Sequence, residues 1–440
     1  MPHRAWGRIA LVFYVLSFGL IAAACEKTNH ENLDKWMRTE RGPDKLAKAL
    51  SDGSLDPDLS AHAAANLIKL GKDTDVKKAI DGLSDDRKKA VLGKLVPRLW
   101  DMARVEGELT VPSGLQTNAK DLLFDFRKGA DPEIKKQIDD YLLDWYTSGY
   151  YEGRATLGRN LGATVIRALG PVAGEKLESA ANAIITAPAK GNERVRIGDE
   201  LLLGMAASGN PDAVKYVLEI SKMDRGDNTL RERCVSALFR AYVDPGGLFD
   251  VVDSKPLEPN IPALAELAKD EGVAPRVTND AVALIRQVGM PLCLDPLVSM
   301  IPSLDRQRRW AGANNALKCG GVKAIAPVAE ALHTDAGYDH REMSGAVWEE
   351  LSKMTPRDQV LAELRKLLDS PSWVSKWIAI ETLGLMKSKD DLPKIKSMTG
   401  DKTKVSGYWG DQEDVDPKDK KQDPTLGQRA AEVAKAIEAS

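Results

Sequence analysis

Along most of this chain apolar residues recur at i, i+3, i+4 and i+7, the spacing that gathers them on one face of an α-helix. The helices come as a repeated unit. Residues 65–71 close an apolar helix and residues 75–80 open the next. In the same way residues 205–209 lead into 210–220, residues 283–289 into 291–301, residues 315–321 into 322–332, and residues 381–386 into 392–398. Each unit is a helix rich in small residues, a short turn, and a helix with an aliphatic stripe. A glycine ending the first helix supplies a left-handed cap, and Asp or Pro starts the second. Spacings such as Gly289 to Gly321 fall in the range of about thirty to forty residues found in helical solenoids. The predicted fold class is all-α, an α-solenoid (superhelix) of helical hairpins.

The residue types support stacking. Ala63, Ala64, Ala65, Ala311 and Ala313 let helices approach closely, while Leu67, Leu238, Ile285, Leu317, Leu351 and Leu383 are placed to fill the seam between repeats. Turns of the type Asp56-Pro57-Asp58 and Asp369-Ser370-Pro371 join the helices. Repeats are expected over residues 42–107 and 197–440, with residues 400–424 as a loop inserted between the two helices of the last unit. Residues 108–196 fit the period less well: helical pieces are predicted at 117–126, 132–146 and 174–185, but Gly153, Gly158, Gly162 and Gly170 interrupt them. This segment reads as an irregular central part of the array and not as a catalytic domain.

The first 25 residues have a different pattern. Arg4 and Arg8 precede an apolar run over residues 9–21 that is short for a membrane span, and Ala22, Ala23 and Ala24 lead into Cys25, after which the chain turns polar. Residues 1–25 resemble a bacterial lipoprotein signal, with residues 20–25 as the lipobox and Ala22 standing where a large aliphatic residue is usual. The resemblance implies cleavage after residue 24, a diacylglycerol on the Cys25 sulfur, an acylated amine, and lipid anchoring of the mature chain. Residues 25–41 then form a tether, and Glu26 favours the outer membrane, with the protein on the periplasmic face of the cell envelope. Two other readings stay open. Ala22-Ala23-Ala24 also suits the ordinary signal peptidase, which would release a soluble exported protein, and the apolar run can serve as an uncleaved anchor.

Residues 59–71, 230–239, 373–384 and 426–437 each carry a small-residue-rich second helix, and on these segments the chain resembles HEAT-repeat proteins. More narrowly it is similar to the lipid-anchored HEAT-repeat proteins of deltaproteobacteria such as myxobacteria. The resemblance implies a non-enzymatic scaffold for protein partners; the alternative is an accessory protein of an enzyme system, in the manner of lyase-like HEAT proteins.

Charge and chemistry narrow this reading. The 62 basic and 65 acidic side chains give a net charge of -3, and loss of Arg4 and Arg8 makes the mature chain slightly more acidic, so there is no footprint for nucleic acid. No phosphate loop, G-x-S-x-G, H-E-x-x-H or C-x-x-C occurs, and no cofactor, metal or small-molecule substrate is expected. Beyond Cys25, the candidate partner-binding residues are Tyr141, Trp145, Tyr146, Tyr150 and Tyr151, a concentration of amphipathic rings in a chain only 5% aromatic. The same residues at helical spacing also suit a core. Arg306, Arg308 and Arg309 with Trp310 form the densest basic cluster, fit for a solvent-facing helix start or one acidic partner. The acidic residues from Asp411 to Asp423 lack calcium-loop spacing and read as solvated, and His333 and His340 with Asp335 and Asp339 read as a surface turn. Cys234, Cys293 and Cys319 are either three buried small side chains or include a Cys293–Cys319 bridge across one end of a hairpin.

Overall fold

The computed structural model describes residues 27–107, 111–186, 197–223, 228–303, 305–332, 340–409 and 415–440, with the side chains of residues 228 and 340–345 left aside. The segment expected to be a signal sequence, residues 1–24, and Cys25 lie outside the described residues. The chain divides into two compact units, residues 1–165 and 166–440. Each is an all-α array of stacked helical hairpins. Among the described residues the one β feature is an antiparallel bridge between Lys404 and Thr425.

The first unit runs through α1 (His30–Trp36), α2 (Gly42–Ser51), α3 (Pro57–Lys69), α4 (Asp73–Asp81), α5 (Asp85–Ala103), α6 (Gly114–Arg127), α7 (Pro132–Thr147) and α8 (Tyr151–Ala155). The starts follow local chemistry. Asp56 and Asp131 accept from the backbone N–H two residues on, each just before a proline at the first helical position, and Ser113 with Gln116 forms a reciprocal capping box. α3 packs between α2 and α5, and α5 continues the stack onto α6 and α7. Within the expected tether, residues 30–36 fold as α1, which lies on α2 and α3, and Leu33 and Trp36, three residues apart on one face, are buried.

The division between units falls inside α9 (Gly162–Leu169), so the segment expected to be irregular, 108–196, is not one body. The second unit continues with α10 (Pro171–Thr186), α11 (Asp199–Ala207), α12 (Pro211–Ile220), α13 (Asn228–Tyr242), α14 (Ile261–Lys269), α15 (Pro275–Val288), α16 (Leu294–Val298), α17 (Arg306–Gly320), α18 (Ile325–Ala331), α19 (His340–Lys353), α20 (Arg357–Leu367), α21 (Trp373–Leu385), α22 (Leu392–Ser397) and α23 (Leu426–Glu438). Alternate helices form rows. α11, α13, α15, α17, α19, α21 and α23 each pack on the next member of that row, while α14, α16, α18 and α20 form the second layer.

The seam residues read from the sequence sit where stacking needs them: Leu67, Leu238, Ile285, Leu317, Leu351 and Leu383 are all buried, as are Ala63, Ala64, Ala65, Ala311 and Ala313. Glycine caps close several helices; Gly71 has φ +72° and Gly289 φ +81°, a region that other residues enter at a cost. The unit over residues 381–398 departs from this rule. Gly384 lies inside α21, where an added Cβ would come within 2.8 Å of Val433 on α23, and the left-handed position is taken by Lys387 at φ 53°. There the glycine serves helix contact and a lysine bears the strained backbone.

Candidate partner-binding surface

The aromatic segment 141–151 is mostly core. Trp145, Tyr146 and Tyr151 are buried, Tyr141 is half-buried and stacks on Trp100 at 4.9 Å, and only Tyr150 stands open, at 52% exposure. The expected binding patch is therefore corrected. α5 and α6 cover this face of α7, and the Trp145 indole N–H donates 3.1 Å to the Ala103 carbonyl.

These rings enclose a buried ion pair. The Lys120 ammonium, 5.4 Å from the Trp145 ring, reaches Asp121 Oδ1 at 2.7 Å, the Asn160 carbonyl at 2.7 Å and the Leu157 carbonyl at 3.1 Å. Asp121 in turn accepts from the backbone N–H of Arg159 and Asn160. Burial pulls the Lys120 pKa down despite the neighbouring carboxylate. Every donor is used and the group is sealed from solvent, so its work is to fasten residues 156–161 onto α6.

A second aromatic cluster forms at the other end of the sequence and does reach the surface. Four of the nine tryptophans lie between residues 348 and 409. Trp377, fully buried on α21, is the hub, with ring centroids 5.1 Å from Trp348 of α19, 6.2 Å from Trp373 one turn earlier, and 5.9 Å from Tyr408. Tyr408 meets Trp409 edge-on at 5.0 Å. Trp348 and Trp373 are half-buried and Trp409 is 38% exposed. Charge frames the rings. Glu381 accepts from Trp377 Nε1 at 2.9 Å and from Arg429 Nε at 2.7 Å, Arg429 lies 5.1 Å over Tyr408, and Lys421 sits 4.4 Å over Trp409. Burial opposes the charge on Arg429, but its bond to Glu381 outweighs that and raises its pKa.

The loop over 400–424 builds this surface. Its ends are pinned by Val405 N donating to Pro424 O and Leu426 N to Thr403 O, and Val405 is buried. Asp423 accepts from the backbone N–H of Gly407 and Trp409, which holds Trp409 at the rim. That carboxylate is spent on loop geometry. Residues 410–414, including Asp411, Glu413 and Asp414, lie outside the described residues. The sequence does place Gly407-Tyr408-Trp409-Gly410 in this loop, and Trp373 and Trp377 sit at i, i+4 on one helix. The convergence of all five rings needs the stacking register of α19, α21 and α23.

The remaining candidates resolve individually. Arg308 and Arg309 do not face solvent: Arg308 donates to Asp305, to the Asp270 carbonyl at 2.9 Å and to the Val273 carbonyl at 3.2 Å, and Arg309 donates to the Ser303 carbonyl. Cys293 and Cys319 form a disulfide with Cα atoms 6.5 Å apart, joining the start of α16 to the end of α17. Cys234 is buried, and burial pushes its thiol up to about 12. His333, Asp335 and Asp339 lie outside the described residues, as does the His340 side chain. Among the described residues no group of three or more His, Cys, Asp or Glu side chains converges to hold a metal ion, and no helix is long and apolar enough to cross a membrane.

No protein-family model matches the sequence, and no curated protein does. Among solved structures, the chain is similar to Kap121p bound to RanGTP, at 13% identity and a TM-score of 0.33 over 84% of this chain and 43% of that one. It is also similar to Kap121p bound to Pho4p, at 13% identity and a TM-score of 0.24 over 82% of this chain and 36% of that one. A third likeness is to importin beta, at 12% identity and a TM-score of 0.25 over 81% and 50%. The chain spans half or less of the length of these proteins, and superpositions this loose carry no argument about what it binds.

Proposed function

We propose that this chain is a non-enzymatic HEAT-type scaffold that docks protein partners, held at the periplasmic face of a bacterial membrane by a lipid on Cys25. The observation that carries the docking function is the aromatic cluster. A buried hub, Trp377, is surrounded by half-exposed Trp348 and Trp373 and exposed Trp409, with Lys421 and Arg429 alongside. Clustered Trp, Tyr and Arg with a buried centre and a solvated rim is the anatomy of an interface hot spot. Stacked hairpins favour such distributed recognition over a closed reaction site, and in this chain the buried Lys120 ammonium has all three of its donors in structural bonds.

The anchor rests on the sequence: a basic start, a short apolar run, and a cysteine abutting small residues. The docking test places a photo-crosslinking amino acid at Trp409 in cells and identifies adducts by mass spectrometry. A discrete protein adduct that disappears when Trp373 is changed to Ala supports the reading, and no adduct above that from an exposed control such as Met223 sinks it. For the anchor, a fatty-acid probe should label the wild type and not Cys25→Ala; equal labelling refutes it.

A further inference from the structure

Arg231 of α13 and Arg308 of α17 spend their guanidinium groups on the ends of neighbouring helices. Two arginines on the same row of helices do not. α11, α13 and α15 enclose a cavity of about 160 Å³, lined by Asp199 of the first, by Glu232, Arg233, Ser236 and Arg240 of the second, and by Arg276 of the third. At roughly 30 Å³ per water, it has room for one carboxylate group and a few waters. Because the second layer packs behind the row, the cavity opens on the row's free face.

An inventory of its charges shows what is left unused. Asp199 accepts from Arg233 Nε, and Arg233 Nη2 donates to the Ile197 carbonyl, so that pair is closed. Arg240 is half-buried and forms no hydrogen bond or ion pair with another described residue. The Arg276 side chain is 72% exposed and comes only within 3.9 Å of the Asp280 carboxylate, beyond hydrogen-bond reach. Glu232 is the other acid on the lining. It stands eight residues before Arg240, about 12 Å along the helix axis, too far to neutralise that end. Three arginines against two carboxylates leave the lining with one positive charge. Ser236, one turn from Arg240 on the same face, adds a hydroxyl that no described residue engages. Unused guanidinium donors beside a free hydroxyl are suited to a carboxylate, which accepts charge-assisted bonds on both oxygens.

We propose that this cavity seats the carboxylate of an Asp or Glu side chain of the docked partner, which crosses the row as an extended acidic segment. The inference rests on the docking function above and adds the chemistry of what docks. From α13 the row passes through α15 and α17 to α19, which carries Trp348. Three steps of about 8–10 Å give about 24–30 Å, a span covered by about eight extended residues. One short segment therefore reaches from the arginine cavity to the aromatic cluster.

The test uses the full chain in cells, with the photo-crosslinking amino acid placed either at Trp409 or at Asn279, an exposed residue one turn after Arg276. Both positions are expected to capture the same protein, and the Asn279 adduct should map to a peptide containing Asp or Glu. Arg240→Gln combined with Arg276→Gln should lower both adducts about tenfold, the loss expected for charge-assisted bonds. The urea midpoint of that variant should stay nearly unchanged, since neither guanidinium holds another helix. Different proteins at the two positions, an Asn279 adduct on a peptide without an acidic side chain or on a phosphorylated residue, or yields indifferent to the two arginine changes would overturn this inference and leave the docking function standing. Absence of a Trp409 adduct in the otherwise unchanged chain overturns both.

Discussion

Removing the Asp121 carboxylate should be far more damaging than removing the lysine charge beside it. In Asp121→Ala the Lys120 ammonium stays 0% exposed without its counter-ion, and the backbone N–H groups of Arg159 and Asn160, at 2.7 and 3.1 Å, lose their acceptor. Breaking a buried pair in this way costs about 3–5 kcal/mol. In Lys120→Met the stem volume is kept, and Asp121 loses the ammonium but retains both backbone donors, with the Arg159 guanidinium 3.9 Å away; the Leu157 and Asn160 carbonyls lose a partner too. That change should cost about 1–2 kcal/mol. The double variant should fall short of the sum, because the residues share one network.

Urea unfolding followed by tryptophan fluorescence measures all three, with Trp145 as a reporter beside Lys120. A cost below about 1 kcal/mol for Asp121→Ala, or a larger cost for Lys120→Met, would refute the assignment of Asp121 as the centre of this anchor. The pH dependence gives an independent sign. Burial lowers the folded-state pKa of Lys120 from its ordinary 10.5, so between the two values the unfolded chain binds more protons and stability rises with pH. The wild-type minus Lys120→Met difference should therefore climb on the alkaline side up to pH 10.5 and be flat below the folded value.

Three further outcomes are expected. Reducing the Cys293–Cys319 bond, which spans 26 residues, should lower stability by about 3.5 kcal/mol on the loop-entropy relation, read as a shift in urea midpoint with and without reductant; no shift would show that the bond does not constrain the unfolded chain. Lys387→Gly should stabilise the protein by about 0.5–1 kcal/mol, since φ 53° is relieved at the end of α21, and a destabilised variant would mean that the lysine side chain matters more than the backbone. Trp377→Ala should cost about 3–5 kcal/mol in the same urea assay, whereas Trp409→Ala should leave the urea midpoint nearly unchanged and reduce partner capture; equal stability losses would make the cluster a core feature and not a surface.

The helical class and the repeat were legible because both live in local spacing. Leu67, Ile285, Leu317 and Leu383 follow a period the chain carries openly, and caps such as Asp56 and Asn210 act within two or three residues of themselves. What sequence spacing does not contain is which apolar face a neighbour covers. Tyr141, Trp145 and Tyr146 share one side of α7, and that much is readable; α5, some forty residues earlier, covers it. Trp348, Trp377 and Tyr408 look unrelated in the sequence and become one cluster only through the register of α19 on α21. His30 and His62 are 32 residues apart and meet because residues assigned to a tether fold as α1.

Arginine was misread for a related reason, and the structure supplies a general physical account. Each helix ends with four carbonyls that lack an intrahelical donor and carry the negative end of the helix dipole. In a stack of short hairpins these ends are crowded against neighbouring helices and partly cut off from water. Arg87 donates to Asp52 at the end of α2, Arg154 to Trp145 in the last turn of α7, Arg231 to Ser221 closing α12, Arg308 to Asp270 closing α14, and Arg357 to Met386 closing α21. A guanidinium suits this task because its planar fork spans several carbonyls, stays charged, and is weakly hydrated. Arg308, in contact with both Asp270 and Val273, shows the fork in use. Arg308, which in the sequence looks like part of a solvated or acid-binding face, is thus a cap supplied by one helix to another, and replacing it with lysine would not be conservative.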